Sequence, residues 1–150
     1  MNTSGKVVAV SISERTGTPK TPIAEGILCT NWGLSGDAHA GHWHRQVSLL
    51  AQESIDKMRA KGLNVEAGGF AENITTQGLT LYTLPVGTRL QLGTALAEVT
   101  QIGKECHTGC AVRQLVGDCV MPREGIFVRI LEAGIVRPGD EITVLGPGPA

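Results

Sequence analysis

Apolar and polar residues alternate over several short stretches of this 150-residue chain, and a period of two marks strands with one buried face. In Lys6–Ser13 the residues Val8, Val10 and Ile12 fall on one side. Leu96–Ile102 alternates likewise, Ile126, Val128 and Ile130 share a face, and Ile27–Thr30 has the length of a further short strand. Leu84–Leu92 and Val136–Val144 each place a Pro/Gly turn ahead of an alternating run. In the second, Pro138 and Gly139 suit the central positions of a type II turn. One stretch departs from the pattern: Val47, Leu50, Ala51, Ser54, Ile55 and Met58 form a stripe at helical spacing. The spacing predicts a helix over Val47–Lys61, capped by Ser48 and stopped by Gly62 in a left-handed turn. A second, short helix is expected over Gly109–Val116.

Composition sharpens this picture. Twenty glycines and seven prolines imply many turns and favour short strands over long helices. Hydrophobic residues make up 41% of the chain but aromatic ones only 3%, so the core is aliphatic and stacking platforms for bases are scarce. A formal net charge of −1 argues against a nucleic-acid binder. The length suits one domain, here 1–145 with 146–150 as a flexible tail. The apolar run near the N-terminus is too short for a secretory core, and no stretch approaches the roughly 20 apolar residues of a membrane span. A cytoplasmic location follows as the expectation, in which the four cysteines stay reduced.

The polar chemistry gathers in a few places. Glu14–Pro22 is a turn-rich loop that offers Arg15 and Lys20 to an anion, or is simply solvated. Gly33–Gln46 is the densest polar run, with His39, His42 and His44 within six residues, followed by Arg45. Its His-x2-His-x-His spacing matches no familiar zinc pattern, so surface loop, pocket lining and metal site all remain open. Phe70–Leu79 carries Glu72, Asn73, Thr75 and Thr76 after a Gly-Gly turn, as pocket donors and acceptors or as a capped turn and strand.

The chemically richest stretch is Thr100–Arg113. Cys106 follows a strand pattern and Gly103, where a strand gives way to a loop. Lys104, His107 and Arg113 are placed to favour its thiolate, the form that attacks, carries sulfur or binds metal. Cys29 and Cys119 read as small buried hydrophobes. Cys106, His107 and Cys110 could share a zinc with a distant histidine, although a structural zinc site takes four ligands and no second cysteine pair is present, so no stably bound zinc is expected. Nucleophile-elbow, phosphate-loop and dinucleotide signatures are absent.

Taken in order, Gly-Asp-Ala-His-Ala-Gly (36–41), Arg-Gln-Val-Ser-Leu-Leu (45–50), Gly-Phe-Ala-Glu-Asn-Ile-Thr-Thr-Gln-Gly-Leu (69–79), Val-Gly-Thr-Arg-Leu-Gln-Leu-Gly (86–93) and Val-Thr-Gln-Ile-Gly-Lys-Glu-Cys-His (99–107) make the chain resemble a stand-alone bacterial-type MOSC domain, the module similar to the C-terminal part of molybdenum cofactor sulfurases. The resemblance implies a mainly β, barrel-like fold with one or two peripheral helices. It also implies a pocket for molybdenum cofactor, with Cys106 carrying sulfur as a persulfide or ligating molybdenum. Lys20, Asp37, His39, His42, Arg45, Glu72, Asn73, Thr75 and Thr76 would line that pocket, together with His107, Cys110 and Arg113. Pyridoxal phosphate is an association of the wider family only. The partners implied are a molybdenum enzyme or cofactor-biosynthesis protein and a cysteine desulfurase; a cofactor carrier without turnover and a zinc-stabilised binding domain are the alternatives. No nucleic acid and no membrane are expected, and the oligomeric state is open. The chain departs from the family at Ala71, where glycine is usual; if that position has a positive φ, alanine costs about 1 kcal/mol.

Overall fold

The computed structural model describes residues 3–16, 18–103 and 121–147. Seven strands close into a barrel: β1 (Ser4–Ile12), β5 (Val47–Ala51), β6 (Ile74–Gln77), β7 (Thr88–Leu92), β8 (Ala95–Ile102), β9 (Ile126–Glu132) and β11 (Glu141–Pro147), in the order β11-β7-β8-β9-β5-β6-β1. The seam is the antiparallel pair of β1 and β11, with Ser4 opposite Thr143 and Lys6 opposite Glu141. Farther along the same side, β1 pairs with β2 (Thr21–Ile23), Val10 lying opposite Ile23. The remaining strands, β3 (Gly26–Cys29), β4 (Gly33–Leu34) and β10 (Gly134–Val136), form a small sheet whose Leu28, Leu34 and Val136 join the barrel's core cluster. Among the described residues no helix is long and apolar enough to cross a membrane. The expected mainly β barrel is therefore the fold, with helix α1 (Gln52–Ala60) and one helical turn, Met121–Glu124, beside it.

The alternating runs became strands because each has one face in an aliphatic core. Leu90 and Leu92 of β7, Ala97 and Val99 of β8, and Val128 and Ile130 of β9 all point there. In β1 the alternation slips: the pairing with β6 shifts register between Val7 and Ala9. This bulge takes up Val8, so Val7 and Val10 are core residues while Val8 is half-buried. Both Pro/Gly turns form, with Gly87 at φ 97° and Gly139 at φ 94°. The Asp140 N–H closes the second onto the Arg137 carbonyl at 3.1 Å. Strand β11 continues to Pro147, with Gly146 opposite Arg89, two residues farther than the expected start of the tail allows. The expected helix over Gly109–Val116 lies outside the described residues.

The helix expected over Val47–Lys61 is half strand. Val47–Ala51 is β5, every residue buried, and the helix begins only at Gln52. The reason is burial on both faces: Val47, Leu49 and Ala51 face the barrel core, while Leu50 packs outward with Ile55, Met58, Phe70 and Phe127 under the helix. A strand covered on both sides reads as a continuous apolar run and loses its alternation. Ser48 is accordingly no helix cap; its hydroxyl and N–H meet Asn73. The helix stop was legible. Gly62 has φ 94°, its N–H bonds the Arg59 carbonyl at 3.0 Å, and the Leu63 N–H reaches Met58 at 3.2 Å, which is a Schellman ending.

Ala71 has φ 64°, so the alanine does sit in the left-handed region. The strain costs alanine about 1–2 kcal/mol, partly offset by the lower entropy of its unfolded chain. Ala71→Gly is therefore expected to raise the unfolding free energy by about 0.5–1 kcal/mol, read as a higher urea midpoint at unchanged m-value; a lower midpoint would refute the assignment of strain.

Candidate functional site

Where β1 ends, three loops meet over its last residues. Asp37 lies in the turn after β4, its N–H bonded to the Leu34 carbonyl at 3.1 Å. Its carboxylate is fully buried and collects donors from three places: the Ser13 N–H at 3.1 Å and the Lys20 ammonium at 2.8 Å on Oδ1, and the His39 N–H at 3.1 Å on Oδ2. Burial alone would push this carboxyl up. Hydrogen bonds from Lys20, Ser13 and the Asn73 amide, together with the ammonium's charge, outweigh burial and hold it below its ordinary value.

Lys20 is not the open loop cation its sequence context suggested. Its side chain is fully buried, and the ammonium reaches Asp37 Oδ1 at 2.8 Å, Ser13 Oγ at 2.9 Å and His39 Nδ1 at 2.9 Å. Three acceptors saturate three N–H donors. The backbone holds the residue as well, because the Lys20 N–H bonds the Gly68 carbonyl at 2.8 Å. Gly68 itself has φ 86°, and a Cβ there would come 2.4 Å from the Lys20 carbonyl oxygen, so only glycine fits.

The 72–76 segment supports the same cluster from behind. Glu72 is fully buried, with Oε2 accepting the Gly68 N–H at 2.8 Å and the Thr75 hydroxyl at 2.8 Å, and Oε1 accepting the Phe70 N–H at 3.2 Å. Burial pushes its carboxyl up, and these hydrogen bonds only partly oppose the push. Asn73 takes the Ser48 N–H at 2.9 Å and gives its own side-chain N–H to the Ser11 carbonyl at 3.2 Å, linking β5, β6 and β1. Thr76 is buried as well, and its hydroxyl has no partner among the described residues. The Gly-Asp-x-His segment and Glu72, Asn73 and Thr75 thus form one polar network, which the Thr76 hydroxyl does not join. Ser11, Ser13 and Ser48 complete it, and nothing in their spacing singled them out as site residues.

The three histidines of the 33–46 run diverge. His39 turns inward to Lys20, His42 Nδ1 donates to the Asn31 carbonyl at 2.9 Å, and His44 Nε2 meets Gln101 Oε1 at 2.9 Å. Among the described residues no three His, Cys, Asp or Glu side chains gather as metal ligands. Arg45 instead lies over Trp43, its guanidinium carbon 5.1 Å from the ring centre, and 5.6 Å from that of Phe127. Its buried Nε has no partner among the described residues. At Trp43 there is a groove of about 470 Å³, lined by His42, Trp43, His44, Val86, Glu98 and Arg129 among others.

Cys106, His107, Cys110 and Arg113 lie outside the described residues, as does Lys104. The strand that leads to them is described as far as Gly103. Its Thr100 hydroxyl donates to the His44 carbonyl, and Gln101 bridges His44 and the Gly103 carbonyl, the latter at 2.7 Å. The histidine run and the end of β8 are therefore tied together.

Similar folds occur among solved structures. The YuaD protein from Bacillus subtilis superposes with a TM-score of 0.74 at 17% identity, covering 94% of this chain and 95% of its own. YiiM from Geobacillus stearothermophilus gives 0.71 at 22% identity, covering 94% and 75%, and YiiM from Escherichia coli 0.66 at 20%, covering 97% and 72%. No curated protein sequence matches significantly. A family model does match, over residues 36–143, from the aspartate turn into the closing strand of the barrel. The chain accordingly belongs to the MOSC domain family, which is associated with molybdenum cofactor binding and sulfur transfer.

Proposed function

We propose that this protein binds molybdenum cofactor, or a related oxyanion-bearing pterin, and that Cys106 ligates its molybdenum or relays sulfur to it. The observation that carries this reading is the buried network that joins Asp37, Lys20 and His39 to the Glu72–Asn73 segment, with the strand leading to Cys106 fastened to His44. The residues present suit such a ligand. Arg45, whose buried Nε has no partner among the described residues, offers a guanidinium to a phosphate, and the half-exposed Trp43 offers a flat face to a pterin ring. Bound cofactor would supply molybdenum for a soft thiolate ligand, or the acceptor of transferred sulfur.

The chain's own part in a relay is an exchange at one sulfur atom. The Cys106 thiolate attacks the outer sulfur of a partner's persulfide, the partner's S–S bond breaks, and its thiolate leaves. The persulfide then stands on Cys106 with no net oxidation. A cysteine desulfurase is the chemical class of donor, and a molybdenum enzyme or cofactor-biosynthesis protein the class of recipient.

The test is anaerobic mixing of the purified protein with released molybdenum cofactor, gel filtration, and quantitation of molybdenum and pterin. Wild type is expected to retain both, and Cys106→Ala to lose most of the molybdenum. Equal retention by the two would remove Cys106 from the role. Retention by neither would remove cofactor binding, and persulfide mass spectrometry would then decide whether sulfur carriage stands alone.

A further inference from the structure

We propose that the groove at Trp43 is a binding site for a planar heterocycle bearing N–H donors, because the scaffold fixes His42 and His44 in opposite tautomers and leaves each neutral ring one lone pair for the ligand. A carbonyl oxygen can only accept, so the His42 nitrogen 2.9 Å from the Asn31 carbonyl carries a proton. That nitrogen is Nδ1, and in the neutral ring the lone pair then belongs to Nε2. Asn31 holds its carbonyl in place for this bond. Its φ is 50°, its N–H bonds the Ile130 carbonyl at 2.8 Å, and its side-chain oxygen accepts the Gln46 amide N–H at 3.1 Å.

His44 takes the reverse tautomer. The Gln101 amide N–H bonds the Gly103 carbonyl at 2.7 Å, and that partner can only accept, so the amide oxygen is the end that meets His44. The ring's Nε2, 2.9 Å from this oxygen, is therefore the donor, and the lone pair of the neutral ring lies on Nδ1. The His44 carbonyl accepts the Thr100 hydroxyl of the same strand, which holds backbone and ring together.

Both rings are exposed and line the groove, as do Glu98, Thr100 and Arg129. The two charges there answer each other, with Arg129 Nε and Nη2 each 3.0 Å from Glu98 Oε1. The Thr100 proton goes to backbone carbonyls. In their neutral form the two histidines thus bring acceptors to the groove. Between them in sequence stands Trp43, half-exposed, with the Arg45 guanidinium over its ring. A flat ring with N–H groups on its edge suits both features, its face against the indole and its donors toward the imidazole nitrogens. This deepens and rests on the cofactor-binding reading above, in which Trp43 faces a pterin, by naming the groups that would meet the N–H edge of such a ring.

The experiment is long-range 1H–15N correlation NMR on the 15N-histidine-labelled full chain near pH 8.5, above the ordinary imidazole range. The resonances are assigned from their loss in His42→Gln and His44→Gln. His42 is expected to carry its proton on Nδ1 and His44 on Nε2; the opposite tautomer at either ring would overturn the proposal. Gln101→Leu is expected to release His44, and not His42, into a mixture of tautomers, and a His44 ring identical to wild type would overturn its fixing by Gln101. The probe is melamine, a planar ring with three amino groups. Titrated into wild type, it is expected to move the two unprotonated nitrogens, His42 Nε2 and His44 Nδ1, upfield to saturation, while trimethoxytriazine, the same ring without N–H donors, leaves them in place. No saturable shift with melamine, or an equal shift with both compounds, would overturn the site. Should Gln101→Leu not fold, the wild-type spectrum and the titration still decide. No cofactor enters the measurement, so a failed gel-filtration experiment and a failed titration remain separate results.

Discussion

Asp37→Ala is expected to lower the unfolding free energy by about 3–5 kcal/mol, the range for removing one partner of a buried ion pair. The loss is large because Lys20 stays behind, fully buried, as an ammonium without its counter-charge. Replacing both members, Lys20→Met with Asp37→Leu, should recover part of that loss by removing the unpaired charge, while the Ser13 and His39 N–H groups still lose their acceptor. Urea unfolding at pH 7 measures both, and a double variant as unstable as Asp37→Ala would refute this account. The pH dependence has a definite sign. The folded carboxyl lies below its ordinary value of 3.8, so its stabilising contribution is present above that pH and disappears as pH falls through the folded value. The difference between wild type and Asp37→Ala should therefore hold steady from pH 7 down to about 4 and shrink only in stronger acid.

Glu72→Ala is the second large effect. Three buried donors, the Gly68 and Phe70 N–H groups and the Thr75 hydroxyl, lose their acceptor together. At about 1–3 kcal/mol for each unsatisfied group, the expected loss is at least about 3 kcal/mol. Glu72→Gln keeps one oxygen and sets an amide N–H against a remaining donor, so it should fall between Ala and wild type. Here the pH sign is reversed. Burial raises the folded carboxyl above its ordinary 4.5, so its contribution is full below that pH and is lost as pH rises through the folded value. Glu72→Gln removes this dependence. Denaturant midpoints taken between pH 4 and 8 would show wild type, but not the Gln variant, losing stability from this group as pH rises; parallel curves would contradict the burial argument.

The strands that sequence alone located were those with one wet face. β7, β8 and β9 alternate because each turns one side to the core and the other outward. β5 was hidden because its outer face is also covered, by Ile55 and Met58 of the helix, so its apolar run merged with the helical stripe that follows it. Turn chemistry was legible at Gly62, Gly87 and Gly139, where the required backbone conformation narrows the choice of residue. The site was legible as a set of segments and not as a geometry. Lys20, Asp37 and Asn73 are far apart in the chain, and their assembly depends on strand register, which local spacing does not encode. Histidine clustering left surface loop, pocket lining and metal site open; the structure sends the three rings to three different partners.

The barrel seam joins the first strand to the last. Ser4–Lys6 waits for Glu141–Thr143, and the Val144 N–H bonds the Thr3 carbonyl at 2.8 Å. Nearly the whole chain must be ordered, and the entropy of that long loop overcome, before the circle can close. Until then two strands carry unpaired edges, open to pairing with another molecule. The order of events during synthesis is thereby constrained: until β11 is made, β7 and β1 each lack a neighbour on one side.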